Sequence, residues 1–130
     1  MTDAPMTIRE MCAAFDVTPR TLRFYETKEL LTPERVGQRR LYGKRDRARL
    51  TLILRGKRFG LSLEDIRQLL DLYARDSVNE AQMRRACELG RARLAQMQAQ
   101  RAELDEAIAE LTTELAWGEG QLARLARAAE

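Results

Sequence analysis

The chain has 130 residues, of which 33% are charged, 45% hydrophobic and 5% aromatic, with no histidine at all. That length allows one domain, or one small domain followed by a long helix, and the composition is the usage of helical, partly elongated proteins. Without histidine the chain lacks the commonest zinc ligand and the commonest general base, and its two cysteines do not make a secreted disulfide framework, so the expectation is of no enzyme and no cofactor.

The charge is unevenly placed. Residues 1–60 hold 14 Lys+Arg against 7 Asp+Glu, and residues 61–130 hold 9 against 13. A basic first half suits contact with phosphates, and an acidic second half suits contact with protein. Of the basic residues only Lys28, Lys44 and Lys57 are lysine. Arginine forks suit bidentate phosphate and guanine contacts, although a GC-rich genome would give the same bias. The first residues carry no basic-then-apolar leader pattern and no apolar run reaches the length of a membrane span, so a cytoplasmic protein without a membrane partner is expected.

Residues 1–6 read as a disordered lead-in. Thr7-Ile8-Arg9-Glu10 then matches a capping box and predicts a helix from Ile8 to about Phe15, with Ile8, Met11, Cys12 and Phe15 as its buried face. Cys12 is most simply a small core residue. Asp16-Val17 makes a tight turn, Thr18 caps the next helix, and Pro19 takes its first position, where a missing N–H costs nothing. Two short helices joined so briefly form a helix-turn-helix. In the second, Leu22 and Tyr25 face inward with Glu26 at the margin, which leaves Arg20, Thr21, Arg23 and Phe24 nearer the outer surface. On its own that helix is equally well explained as a solvated charged face.

From Leu30 to Tyr42 the chain is punctuated by Pro33 and Gly37 and predicts a two-stranded hairpin with arginines at and just after its tip. A basic hairpin directly after a helix-turn-helix is a wing that grips the backbone beside the groove. A third helix is expected from Lys44 to about Arg58 with a core stripe of Leu50, Ile53 and Leu54, and Gly60 stops it. Ser62-Leu63-Glu64-Asp65 resembles a second capping box and begins a fourth helix through Ile66, Leu69, Leu70 and Tyr73. Lys57, Arg58 and the loop Phe59-Gly60-Leu61 would make a second basic projection.

Ala74 to Asn79 reads as a hinge, with Ser77 or Asn79 capping the helix after it. From about Glu80 one helical pattern continues for more than thirty residues without proline. Its seam runs through Cys87, Gly90, Leu94, Met97, Arg101, Leu104, Ile108, Leu111 and Leu115, a sustained heptad that cannot bury itself on a lone helix. It needs a partner helix, most simply from a second copy of the chain. Arg101 interrupts the seam, either as a side chain that snorkels its charge to the edge or as a register device paired with Glu103 or Glu106 of the partner. Gly118 and Gly120 are expected to break the helix, with Gln121 to Ala129 forming a last short helix on Leu122 and Leu125. The expected organisation is therefore a DNA-binding domain over 1–76, a dimerisation helix over 77–117 and a short C-terminal loop and helix over 118–130.

This order of parts resembles the MerR family of bacterial transcription regulators. The resemblance rests on Thr7-Ile8-Arg9-Glu10, on Val17-Thr18-Pro19-Arg20-Thr21-Leu22-Arg23-Phe24-Tyr25-Glu26, on Leu30-Leu31-Thr32-Pro33-Glu34-Arg35, on Arg40-Leu41-Tyr42, and on Phe59-Gly60-Leu61-Ser62-Leu63-Glu64-Asp65-Ile66 with the long helix behind. It implies a mainly α fold: a winged helix-turn-helix followed by a long dimerisation helix that pairs antiparallel. It also implies a homodimer on a palindromic site in double-stranded promoter DNA, which it kinks and untwists for RNA polymerase when an effector arrives. DNA deformation costs a few kcal/mol, on the order of what two arginine-rich wings could offset. Carried over by position, Arg20 and Arg23 face the groove beside Phe24, Thr18 caps the helix and approaches a phosphate, Arg39, Arg40 and Tyr42 form the first wing, and Lys57 and Arg58 the second. Leu94, Met97, Arg101, Leu104, Ile108, Leu111 and Leu115 carry dimerisation. Phe24 stands where the family often has tyrosine, Glu29 replaces the usual glycine before Leu30-Leu31, and Gln38 with an added arginine replaces the commoner wing tip.

The effector is less legible. Relatives that recognise bulky organic ligands carry a large C-terminal domain, and metal-sensing relatives use a cysteine pair in a loop that here reads Ala116-Trp117-Gly118-Glu119-Gly120. Cys87 is read as a seam or packing residue, with a metal or redox sensor as the competing reading. The overall shape looks most like short MerR-type regulators of branched-chain amino acid or fatty acid catabolism, which would imply a small organic effector. A rival of another class is a helical adaptor whose long helix binds a different chain.

Overall fold

The computed structural model describes residues 4–73 and 79–130. The chain divides into two compact units, Met1–Leu89 and Gly90–Glu130. The first is built from β1 (Met6–Thr7), α1 (Ile8–Phe15), α2 (Pro19–Thr27), β2 (Glu34–Val36), β3 (Arg39–Tyr42), α3 (Lys44–Phe59), α4 (Leu63–Tyr73) and the opening turns of α5 (Glu80–Ala128). The rest of α5 makes up the second.

α1, α2, α4 and α5 begin where side chains satisfy orphan N–H groups of the helix start, whereas α3 begins at Gly43 with no side-chain cap. At α1 both halves of the capping box are present: the Glu10 N–H donates to Thr7 Oγ1 at 3.2 Å and the Thr7 N–H donates to Glu10 Oε1 at 2.9 Å. At α2 the Thr21 N–H donates to Thr18 Oγ1 at 3.1 Å, with Pro19 in the first turn. Ser62 Oγ accepts from the Asp65 N–H at 3.1 Å ahead of α4, and Asn79 Oδ1 accepts from the Ala81 N–H at 2.8 Å ahead of α5. Asn79 is thus a cap of α5, while the other expected cap, Ser77, and most of the expected hinge lie outside the described residues.

Helix ends are equally specific. Gly60 closes α3 at φ 78°, with its own N–H donating to the Lys57 carbonyl and the Leu61 N–H to the Gly56 carbonyl. This is the paired bonding of a Schellman motif, which needs a left-handed residue. The same motif closes α2: the Glu29 N–H reaches the Glu26 carbonyl and the Leu30 N–H reaches the Tyr25 carbonyl, with Glu29 at φ 61°. The missing glycine therefore leaves the helix end unchanged and places a side chain in a conformation that costs an L-residue roughly 1–2 kcal/mol.

Two strand expectations need correction. Met6, placed in a disordered lead-in by the sequence, pairs with Tyr42, and Thr7 pairs with Leu41, so the hairpin becomes a three-stranded antiparallel sheet of order β1-β3-β2. The hairpin itself pairs Glu34 with Leu41, Arg35 with Arg40 and Val36 with Arg39. Gly37 takes φ 63° at the first loop position, the place where a type II′ turn puts glycine.

Met11, Leu22, Tyr25, Leu30, Leu31, Tyr42, Leu50, Ile53, Ile66 and Leu70 form one buried cluster, with Ile8, Cys12, Phe15 and Leu54 packed at its edge. Each such side chain removed from water contributes about 1.5–3 kcal/mol. On α4 the stripe runs through Ile66, Leu70 and Leu72, while Tyr73, expected inward, is exposed. Gly56 lets α3 and α4 approach closely, since a Cβ there would stand 2.7 Å from Ile66 Cγ1.

α5 runs unbroken from Glu80 to Ala128, so Gly118 and Gly120 lie inside the helix and the expected break is absent. A helical glycine costs only about 1 kcal/mol against alanine, and the residues on either side are good helix formers. No helix among the described residues is long and apolar enough to cross a membrane.

Glu29→Gly is expected to raise thermal stability by about 0.5–1 kcal/mol, the relief of left-handed strain less the entropy glycine gives up on folding. Thermal melts followed by circular dichroism would check it, and a loss of stability would mean that the Glu29 side chain contributes more than its backbone costs.

Candidate DNA-binding surface

The exposed flank of α2 follows from its periodicity. Burying Leu22 and Tyr25 turns Arg20, Arg23 and Phe24 to solvent, as the sequence predicted. Phe24 is 45% exposed; its ring lies 5.7 Å from that of Tyr25, and Lys28 Nζ stands 5.7 Å from its centroid in a cation–π contact. Thr18 is exposed, but its hydroxyl oxygen is engaged by the Thr21 N–H and lies 2.9 Å from the Thr21 hydroxyl.

The wing is fixed to α2 by one carboxylate. Glu26 Oε1 accepts from Arg35 Nη2 at 2.9 Å and Glu26 Oε2 accepts from Arg40 Nε at 2.8 Å. Arg35 and Arg40 are cross-strand partners in the hairpin register, a like-charge pairing that would repel without a carboxylate between them. Burial pushes the Glu26 carboxyl up, but the hydrogen bonds from Arg40 and Arg35 outweigh that and hold it below the ordinary carboxylate value of 4.5.

These contacts separate the predicted wing residues. Arg39 is exposed at the start of β3. Arg40 is half-buried and commits its Nε–H to Glu26, so part of its fork faces the protein. Tyr42, expected in the first wing, has its side chain fully buried in the core cluster, where burial, the largest influence, raises its phenol above 10.0. Position 42 falls on the inward face of the strand, opposite Met6. Lys57 and Arg58 are exposed in the last turn of α3.

Several positioning residues carried no recognisable signal. Asp46, buried in the first turn of α3, accepts the Thr32 N–H at 3.0 Å through Oδ1. Arg49 Nε donates to the Leu30 carbonyl at 2.7 Å, and burial lowers its guanidinium from the ordinary arginine value. Arg67 Nη2 donates to the Lys28 carbonyl, and Arg47 Nη1 to the Ala4 carbonyl. Asp46 reads in the sequence as an ordinary acidic residue of a helix start; only the fold shows it holding the segment that leads into the wing.

Among the described residues no group of three His, Cys, Asp or Glu side chains lies together as metal ligands, and Cys87 is exposed on α5. The seam residues are exposed as well: Leu94, Met97, Leu104, Ile108, Leu111 and Leu115 show 39–61% of their surface.

A capped helix with outward arginines, clamped to a basic hairpin and backed by a second basic helix end, defines a winged helix-turn-helix DNA-binding protein. The chain belongs to the MerR family. Residues 6–73 match the description "MerR HTH family regulatory protein" and residues 47–113 match "MerR, DNA binding". It is similar to the HTH-type transcriptional regulator ZntR of Escherichia coli K12, with 39% identity over 67 residues, 50% of this chain and 48% of that protein. The chain thus spans about half the length of the curated relatives it matches. The transcription regulator PbrR691 of Ralstonia metallidurans CH34, solved in complex with lead(II), superposes with a TM-score of 0.62 at 32% identity over 82% of each chain. The fold is also that of HiNmlR, a MerR family regulator lacking the sensor domain and solved bound to promoter DNA. That structure has a TM-score of 0.66 at 22% identity, covering 92% of this chain and 94% of that one.

The clamp and the buried tyrosine each predict an outcome. Because the folded state lowers the Glu26 carboxyl, its stabilisation is full above the unfolded value and is lost as pH falls through the lowered folded value. Glu26→Gln should therefore destabilise the protein at neutral pH and less in acid, as read from denaturant midpoints across pH; a constant difference would argue against the clamp. Tyr42→Phe should leave DNA affinity within about twofold, since a fully buried ring cannot reach a phosphate; a loss of about tenfold in gel-shift titrations would return Tyr42 to the interface.

Proposed function

We propose that the protein acts as a homodimer that binds a palindromic promoter site with one winged helix-turn-helix per half-site, and distorts the spacer for RNA polymerase when an effector binds. The observation that carries this reading is the exposed apolar seam of α5 attached to a complete reading head. An apolar stripe of this length on a helix in water calls for a partner helix, and two copies related by a dyad would present two heads to a site of matching symmetry.

In this reading Arg20 and Arg23 contact base edges and nearby phosphates, Phe24 packs against the sugar–phosphate wall, and Thr18 stands at the positive end of α2, where a phosphate oxygen is favoured. Arg39 grips the backbone beside the groove with the remaining donors of Arg40, and Lys57 with Arg58 forms the second grip. Tyr42 supports the wing from below and makes no DNA contact. Leu94, Met97, Arg101, Leu104, Ile108, Leu111 and Leu115 form the dimer seam. The relative from Ralstonia metallidurans was solved in complex with lead(II); for this chain, whose expected sensor loop carries no cysteine, a small organic effector fits better.

The test is a gel shift against the protein's own upstream DNA. Palindrome-dependent binding at moderate salt is expected, and Arg23→Ala should weaken specific binding by roughly 5–150-fold, the 1–3 kcal/mol of one base-edge contact, with a much smaller loss on non-specific DNA. Equal losses on both would assign Arg23 to phosphate alone, and the absence of palindrome-dependent binding would overturn the reading.

A further inference from the structure

A cleft of about 300 Å³ opens between α4 and the first turns of α5, lined by Leu69 and Leu72 from α4 and Ala81, Ala86 and Leu89 from α5, together with Gln68, Asp71, Gln82 and Arg85. Its lining is mainly apolar, and the two alanines leave it room. Elsewhere on the chain, Trp117 is the sole tryptophan of the sequence, and it is 69% exposed on α5. An indole in water and an apolar cleft open to water are each unfavourable alone.

We propose that this cleft seats Trp117 from a second copy of the chain, which rests on the homodimer reading above and adds a definite register to it. Heptad geometry carries the proposal. Because α5 continues through Gly118, its seam also continues, with Gly118, Leu122 and Leu125 at the next three seam positions and Leu122 and Leu125 both exposed. In the antiparallel pair that the family resemblance implies, the two kinds of seam position face each other across the interface, and each flank faces the same flank of the partner.

The flanking charges choose among the registers. Setting Leu94 opposite Leu111 of the second copy brings Arg93 to Glu114, Arg84 to Glu119 and the seam Arg101 beside Asp105, each pairing occurring twice by symmetry. Moving the dyad one turn further along the helix gathers Asp105 and Glu106 of both copies around it. Moving it one turn back leaves Leu122 and Leu125 facing residues that precede α5. In the chosen register Cys87 faces Gly118 of the second copy. Trp117 then comes level with Ala86 to Gly90, on the flank of α5 that carries Gln82, Ala86 and Leu89, which is the wall of the cleft. The indole face would meet Leu69, Leu72 and Leu89, Arg85 would stack on its edge, and its N–H would find an acceptor in Asp71 or Gln68.

The lone tryptophan is its own reporter. In the full-length protein, diluting through the dimer–monomer transition should shift Trp117 emission to the red, and Trp117→Ala should raise the dimer Kd at least about tenfold, as for a buried aromatic anchor. Ala86→Leu, which fills the cleft without touching the seam, should weaken the dimer and red-shift the emission while the helical circular dichroism stays unchanged. Gly118→Cys should form an interchain disulfide with the native Cys87 under mild oxidation, lost in Cys87→Ser, whereas Leu111→Cys and Leu125→Cys should not. Light scattering separates the seat from the dimer. A dimer whose Trp117 emission is already that of a solvated indole, or whose cross-link forms at Leu111→Cys or Leu125→Cys, overturns the seat and leaves the homodimer standing. A monomer at every concentration overturns both.

Discussion

One carboxylate holds the reading head together. Glu26 sits in the last turn of α2 and accepts from Arg35 on β2 and Arg40 on β3, so the helix and the hairpin share one counter-charge. The hairpin register places the two guanidiniums side by side, which is unfavourable without a counter-charge, and the end of α2 is the point where the hairpin comes within reach. The pairs are partly exposed, and exposed pairs contribute little individually. Their value lies in geometry: the wing cannot swing away from α2 without breaking two charge-assisted hydrogen bonds together. Spacing between the exposed arginines of α2 and the exposed tip of the wing is set by that clamp.

The same logic sorts the basic residues into two populations. Arg35, Arg40, Arg47, Arg49 and Arg67 donate to protein groups and build the domain. Arg20, Arg23, Arg39, Lys57 and Arg58 are exposed. A basic excess in the first half of the chain thus overstates the charge left for phosphates, because Arg35, Arg40, Arg47 and Arg49 are engaged internally. This also explains why arginine serves better than lysine here: a planar fork can hold a carbonyl or carboxylate with one edge and still present donors on another.

Helix starts were legible in the sequence because capping is local. Thr7 with Glu10, and Thr18 with Pro19, announce α1 and α2 within four residues, and Gly60 marks the end of α3 for the same reason. Long-range features were not legible. A strand of two residues at Met6–Thr7 has no periodicity to detect and exists only because β3 offers it an edge. The inward turn of Tyr42 depends on that added strand, and the role of Asp46 depends on where Thr32 arrives in space. At Gly118 and Gly120 the local breaker signal was real but weak, and the strong formers around it carried α5 through. Within the site, the outward set on α2 followed from period alone, while the division of labour between Arg39 and Arg40 required the position of Glu26.

The anchors that fix the approach to the wing share one property. Asp46 takes the N–H of Thr32, Arg49 the carbonyl of Leu30 and Arg67 the carbonyl of Lys28. All three partners are main-chain atoms, which nearly every amino acid presents in the same place. The scaffold therefore grips the path of the segment while remaining indifferent to much of its lettering. Side chains at the hairpin tip become a replaceable cartridge: evolution, or an engineer, can rewrite what the wing touches while the mount that aims it is untouched.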